Sequence, residues 1–158
     1  MANVPILKGA TFSICATAQA DELNQAAFEA LIFVDCGKIV EHGNLEVTEN
    51  DVSQGYWGGG WLQHQKGQKD GGTTSVTIGY DPDSTGADAL DTAAATELNY
   101  AFKIDIGDNP GGTTNTILYY RGLIALPSYQ LGNNEAFLNK TFAMMLNQGV
   151  IQVDPTGL

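Results

Sequence analysis

The sequence predicts a mainly β fold, an antiparallel β-sandwich or barrel with a flanking α-helix. Apolar and polar residues alternate with a period of two in segments 75–80 and 100–106, as in strands that bury one face. One acidic, alanine-rich segment, 84–96, begins with residues that cap helices and places apolar residues at helical spacing. The chain has about six to eight strand candidates and one internal helix. We expect the strands to pair mostly with their sequence neighbours, with the helix covering one flank.

The first half of the chain predicts a strand, a short helix and then further strands. Segment 8–16 is the first strand, and segment 21–30 has apolar residues at helical spacing. Segment 31–41 is rich in Ile, Val and Phe and is predicted to be one strand. A turn at Gly43 follows, and residues 45–49 continue with period two.

The second half predicts one helix between strands. Residues 81–84 end the strand 75–80, and Asp83 or Ser84 caps the helix that follows. Further strands are expected at 100–106, 116–126, 136–146 and 149–153, the last two as a hairpin with its turn at 147–149. Segment 138–150 has apolar residues on both faces, which predicts cover on both faces and therefore packing against another subunit.

The connection over residues 50–73 is longer than a compact domain needs, and such connections are functional or disordered. Disordered linkers contain few aromatics, whereas this one contains several. We interpret it as an arm that docks on a second subunit; a loop that folds back on its own domain is the alternative. Its candidate contact residues are Tyr56, Trp57, Trp61, Lys66 and Lys69.

Length and composition favour a single domain that takes part in an assembly. The chain has 158 residues, enough for one domain over 1–158 with its own core, and contains no internal repeat. Charged residues make up 16%, below the usual ~25%. A low charged fraction is typical of proteins that bury surface in an assembly, although a Gly- and Thr-rich β protein has the same composition.

The net charge of −11, from 18 acidic and 7 basic residues, excludes tight nucleic-acid binding, which needs Lys and Arg. A negative surface repels DNA, which is useful where DNA must slide past without sticking. An acidic chain that is simply kept soluble by its charge is the alternative.

No catalytic or metal-binding pattern stands out, and we predict no enzyme activity, cofactor or metal. Segment 81–86 has oxygen donors at alternate positions, but Thr92 stands where a calcium loop needs a Glu. His42 and His64 are far apart, and no Gly-x-Ser-x-Gly elbow accompanies them.

The two cysteines and the N-terminus indicate a protein assembled in the cytoplasm. Cys15 and Cys36 lie in apolar, strand-like segments, so we expect buried free thiols. The N-terminus lacks the basic start and apolar core of a signal peptide, and charges interrupt the longest apolar stretch, 26–40, so we expect no membrane span.

Five segments, in this order, resemble the major tail tube protein of long-tailed, non-contractile bacteriophages. They are FEAL (28–31), FVDCGKIVEHG (33–43), KGQKDGGTTSVTIGYDP (66–82), FKI (102–104) and YRG (120–122). The resemblance covers nearly the whole chain. The departures are the enlarged, Trp-bearing loop and a longer turn at 107–115, which affect the ring contacts.

The resemblance implies a β-sandwich with a flanking helix, six copies of which form a ring whose inner strands join into one β-barrel. Rings stack into a tube around a tape-measure protein, and tail terminator and tip proteins complete the tail. After the tape measure leaves, double-stranded DNA passes through the lumen without specific binding. The protein is then part of the virion tail, assembled in the host cytoplasm.

Within such a tube, Tyr56, Trp57, Trp61, Lys66 and Lys69 are expected to make ring-to-ring contacts. Arg121, the only arginine, is expected to pair with an acid across a subunit boundary, and a surface arginine is the alternative. Faces that hold Lys103 with Asp105, and Glu46 with Thr48, are candidates for the lumen wall or the outer surface.

Two other functions remain open. The first is a tube protein of a secretion system, which would have the same architecture but belong to a different machine. A monomeric β-sandwich binding module would use the Trp loop as a lip over a ligand, and it would stay monomeric at high concentration.

Overall fold

The computed structural model of the chain describes residues 7–157, which form ten strands and two short helices. In chain order these are β1 (Thr11–Ile14), α1 (Gln25–Glu29), β2 (Val34–Asp35), β3 (Ile39–His42), β4 (Thr48–Gln54), β5 (Gln63–Asp70), β6 (Thr73–Gly79), α2 (Thr85–Ala94), β7 (Tyr100–Asp105), β8 (Ile117–Ile124), β9 (Ser128–Gln130) and β10 (Asn139–Val153). Eight strands form an antiparallel sheet in the order β2-β1-β7-β8-β10-β6-β3, with β9 beside β10; β4 and β5 pair separately. The predicted mainly β fold with a flanking helix is confirmed.

The main sheet curls into a half-barrel whose inner face carries the larger core. Phe102 of β7 faces Tyr120 of β8 in the strand register, with ring centroids 5.1 Å apart. Phe12 of β1 stacks on Phe102 from the other side at 5.8 Å. Helix α2 covers part of this face with buried Leu90 and Ala93. The period-two pattern of segment 100–106 therefore marks the inner face correctly.

Helix α2 begins at the predicted cap. Of the two candidates, Ser84 is the N-cap, and its Oγ accepts a hydrogen bond from the backbone N–H of Ala87 at 3.3 Å. Gly86 lets the helix approach β2 closely, since a Cβ there would collide with the backbone carbonyl of Asp35. The calcium-like segment 81–86 is thus the turn and first residues of a packed helix.

A buried lysine ties α2 to the sheet. Lys140 Nζ on β10 donates to Asp91 Oδ2 on α2 at 2.9 Å and lies over the rings of Tyr80 and Tyr129, 5.5 and 5.2 Å from their centroids. Burial disfavours the ammonium, but the hydrogen bond to Asp91 and its charge outweigh that and raise the pKa of Lys140. The pair therefore holds the charged form.

A smaller core lies on the opposite face of β7 and β8, beneath α1. Phe28 of α1 is fully buried and stacks on Tyr119 with ring centroids 5.1 Å apart. Cys15 joins this core and Cys36 joins the larger one; both are buried and free, as predicted. Burial, with the nearby charge of Asp35, raises the pKa of Cys36 to about 12. Neither helix within residues 7–157 has the length and apolar character that crossing a bilayer requires.

The single strand predicted at 31–41 is wrong. β2 pairs with β1 at one end of the sheet, and β3 pairs with β6 at the other end. Only residues 36–38 lie between them, with Gly37 in the left-handed region at φ +80°. Because so short a link joins the two ends, the sheet must curl back on itself there.

The closing hairpin predicted at 147–149 is also wrong, since β10 is one strand of 15 residues. Its first half pairs with β6 and its second half with β8, with register shifts between Leu146 and Gln148 and between Gln148 and Ile151. Gln148 turns to the N-terminal segment, where its Oε1 accepts the backbone N–H of Leu23 at 2.9 Å. The turn-like residues therefore form a bulge inside a strand.

Candidate assembly surface

Most of the long connection predicted over residues 50–73 is a β-hairpin and not an irregular loop. β4 and β5 pair from Thr48↔Asp70 to Gln54↔Gln63. Every residue of β4 is exposed, and Gly67 is the one residue of β5 that is partly buried. The sequence did not predict this hairpin, because neither strand has an apolar face that would give a period-two pattern. We call residues 48–70 the arm and residues 55–62 its tip.

Charged side chains link the two strands of the arm. Lys66 Nζ lies 3.1 Å from one carboxylate oxygen of Glu49, and Lys69 Nζ lies 3.6 Å from the other. The hydrogen bond from Lys66 and both lysine charges lower the pKa of Glu49. His64 Nδ1 lies 2.8 Å from Asp51 Oδ2. Lys66 and Lys69, predicted to contact another ring, thus already have partners inside the arm.

The aromatic residues predicted for subunit contact are exposed at the tip. Trp57 is 105% exposed and Trp61 is 86% exposed, so neither indole packs on its own domain. Tyr56 and Leu62 are exposed beside them. The backbone N–H of Gly59 donates to the carbonyl of Tyr56 at 3.1 Å in a glycine turn. Sequence reasoning found the aromatics but missed Leu62.

Arg121 is 5% exposed, so the alternative of a surface arginine is wrong. Its Nε donates to Gln148 Oε1 at 3.3 Å, and a terminal nitrogen donates to the backbone carbonyl of Gln19 at 3.2 Å. Within residues 7–157 no carboxylate forms an ion pair with it. Arg121 therefore joins β8 to the bulge of β10 and to the N-terminal segment; its pairing across a subunit boundary stays a prediction.

A second exposed apolar patch lies around β9 and was not found from the sequence. Its members, which we call the β9 patch, are Leu126, Tyr129, Leu131 and Phe137. The available signal was the alternation of Tyr129 and Leu131 in the turn-rich segment between the strands predicted at 116–126 and 136–146. The tip and the β9 patch are thus two places, separate in sequence, where several large apolar side chains are exposed close together in the chain.

Polar groups elsewhere have structural roles. His42 Nε2 lies 2.7 Å from Tyr120 Oη and Nδ1 lies 2.6 Å from the carbonyl oxygen of Gly43, and burial lowers the pKa of His42. A cavity of about 510 Å³ at the base of the arm is lined mainly by polar residues such as Lys69 and Gln148. No group of three or more His, Cys, Asp or Glu side chains in the described part of the chain is placed to hold a metal ion.

Comparison with solved structures identifies the fold. The chain matches a sheath/tube terminator of the extracellular contractile injection system PVC with a TM-score of 0.66 and 11% identity over 97% of this chain and 98% of that one. The chain has the fold of tail tube and tube-terminator proteins. A chain of the PVC sheath-tube complex matches at 0.62 with 13% identity (96% and 92% covered), and the SPP1 tail tube at 0.58 with 11% identity (94% and 77%).

Sequence comparison adds no closer assignment, because neither the protein-family models nor the curated protein sequences gave a match to this chain. These matches show a shared fold. With sequence identities of only 11–13%, they do not show whether the chain belongs to a phage tail or to an injection system. The tail-tube fold that the sequence predicted is thus one that phage tails and contractile injection systems share.

Proposed function

We propose that this chain is a non-enzymatic structural subunit of a tail-like tube and acts by assembling with copies of itself. The observation that carries the proposal is the tip, where Trp57 and Trp61 are almost fully exposed on an arm that projects from a domain of the tail-tube fold. Aromatic side chains are enriched in protein interfaces, and a glycine turn that presents two indoles to water has no role inside this domain.

Six copies form a ring, and rings stack into the tube. Within the described residues, β3 pairs only with β6 and β9 pairs only with β10, so each leaves one strand edge open. Open edges pair readily with another chain. Pairing between copies joins their sheets into a continuous barrel around a lumen. The arm contacts the adjacent ring through Tyr56 and the two indoles at its tip and through Lys66 and Lys69 on β5. Arg121 pairs with an acid of a neighbouring subunit where a ring contact reaches it.

The tube belongs to the tail of a non-contractile bacteriophage and is the conduit for DNA into the host. The net charge of −11 supports this use, because an acidic surface repels the phosphate backbone and lets DNA pass without binding. The partners are then further copies of this chain, the tape-measure protein in the lumen, and the terminator and tip proteins at the two ends.

Negative-stain electron microscopy of the purified protein, from dilute to concentrated, tests the proposal. Six-fold rings and hollow tubes are the expected result. Particles that stay monomeric at every concentration, even after addition of pre-formed seeds from phage tails or injection systems, would argue for the binding module that uses the Trp loop as a lip.

A tube terminator is a second candidate, because the match to the PVC sheath/tube terminator covers 98% of that chain with a TM-score of 0.66. A terminator ends a tube and does not extend it. Single rings that bind one end of an existing tube and never stack on each other would therefore favour the terminator, and stacks of many rings would favour the tube subunit. A secretion-system tube protein also stacks, and its neighbouring genes would distinguish it from a phage protein.

A further inference from the structure

An apolar groove opens where the curled sheet does not close. Beyond the short link 36–38, β1 and β3 form opposite walls of a gap with a volume of about 390 Å³. This volume is in the range of pockets that bury small organic groups, about 300–1,000 Å³. Buried Phe12 and the half-buried side chains of Ile39, Leu45 and Ile104 line it.

The groove is an uncovered end of the larger core. Ile39, Leu45 and Ile104 all pack against that core, while no residue of α2 lines the groove. Glu41 is the one acidic or basic residue among the described lining residues apart from His42, whose burial favours the neutral ring. An apolar group can therefore enter without leaving a buried charge unpaired.

The tip is uncharged and apolar, and it therefore matches the apolar lining of the groove. Residues 55–62 contain no charged side chain and carry two exposed indoles, each of which can bury about 150–250 Å². The groove of the same copy is out of reach. Leu45 lines the groove, the arm begins at Thr48, and its strands of seven and eight residues carry the tip about 25 Å from that point.

We propose that the tip of one copy docks in the groove between β1 and β3 of a second copy, with Trp57 and Trp61 as the inserted side chains. This inference rests on the proposed self-assembly and adds the surface that receives the arm. Each copy carries one tip and one groove at different places, so the contact is heterologous and can propagate without closing. The stack is then polar, with free tips at one end and open grooves at the other.

A cysteine cross-link in assembled tubes tests the docking. Gly60→Cys places a thiol in the tip where a Cβ meets no atom within 4 Å, and it keeps both indoles. Val40→Cys places a thiol at the groove, where Val40 is exposed. The native cysteines are buried and do not compete. A disulfide requires Cα atoms within about 7 Å. On mild oxidation, the double variant should give covalent oligomers beyond the dimer, and neither single variant should.

The matched control moves the second thiol to the β9 patch with Gly60→Cys and Phe137→Cys. Phe137 is 89% exposed, so an unspecific apolar contact would reach it at least as easily as the groove. Normal tubes that cross-link through Phe137 and not through Val40, or through neither, would overturn the docking and leave the tube proposal intact. A wild-type protein that never assembles would overturn both.

Mixing two defective variants gives an independent test. Trp57→Ser with Trp61→Ser removes the inserted groups and keeps the groove, while Val40→Asp puts a charge at the groove and keeps the tip. Each alone should form no tubes at ten times the concentration at which wild type assembles. In the mixture, the tip of the Val40→Asp variant can dock in the groove of the tryptophan variant, but no further contact can form. Particles with twice the mass of either variant alone should therefore appear and grow no further. Long tubes from the mixture, or no new particle, would contradict the inference.

Discussion

The ion pair of Lys140 and Asp91 predicts an asymmetric response to truncation. The Lys140 side chain is 9% exposed and that of Asp91 is 37% exposed, with 2.9 Å between Nζ and Oδ2. Asp91→Ala leaves a buried ammonium without its counter-ion. Lys140→Met leaves a carboxylate that water can reach and an unbranched apolar chain against the rings of Tyr80 and Tyr129. We therefore expect the loss of the acid to cost more than the loss of the base.

The magnitude follows from burial. Removing one member of a fully buried pair costs about 3–5 kcal/mol, and an exposed pair contributes about 0–1 kcal/mol. Because Asp91 is partly exposed, we expect Asp91→Ala to lower the free energy of unfolding by about 2 kcal/mol and Lys140→Met by less than about 1 kcal/mol. In a chain of 158 residues, a loss of about 2 kcal/mol lowers Tm by about 4–8 °C.

Thermal and urea unfolding, followed by far-UV circular dichroism in dilute protein, measure the difference. The double variant should resemble Lys140→Met alone, since no buried charge remains in it. Lys38→Met is the matched control, because Lys38 is 73% exposed and its pair with Asp81 spans 3.4 Å; we expect a change within about 0.5 kcal/mol. A greater cost for Lys140→Met than for Asp91→Ala, or a double variant no better than Asp91→Ala, would refute the reasoning.

Three further predictions concern the tip, the smaller core and the response to pH. Deleting residues 56–61 should leave the circular dichroism spectrum intact and stop tube growth in electron micrographs, and continued polymerisation would refute the proposed role of the arm. Phe28→Ala removes a fully buried ring stacked on Tyr119 and should cost about 3–5 kcal/mol in urea unfolding, whereas a loss below about 1 kcal/mol would contradict this packing. Burial lowers the pKa of His42 below 6.5, so its contribution to stability is present above pH 6.5 and is lost as pH falls through 6.5 toward the folded-state pKa. Urea midpoints at about pH 7.5 and 5.5 should differ more for wild type than for His42→Gln, and equal differences would count against this assignment.

Local patterns in the sequence predicted several elements correctly. The alternation in 100–106 marked the buried face of β7, and Ser84 was one of the two residues named as the cap of α2. Cys15 and Cys36 were expected to be buried thiols, and they are. Each of these features depends on neighbours within a few residues, so a single stretch of chain carries the information.

Long-range pairing could not be predicted in the same way. Half of the strand pairs, among them β3 with β6 and β8 with β10, join strands that are not consecutive in the chain. An alternating pattern reports which face is buried and does not report which strand lies beside it. The arm was missed as a hairpin for a related reason, since polar strands without a buried face leave no periodic signal.

The sequence by itself determined the mainly β class, the positions of several elements, the acidic charge and the aromatic tip, because these depend on composition and short-range spacing. Only the tertiary structure decided that Arg121 is buried against Gln148 and that 147–149 continue a strand. It also decided that β1 and β3 leave an apolar groove between them. These features arise where segments distant in sequence meet, because burial and hydrogen bonding there depend on which surfaces the curled sheet brings together.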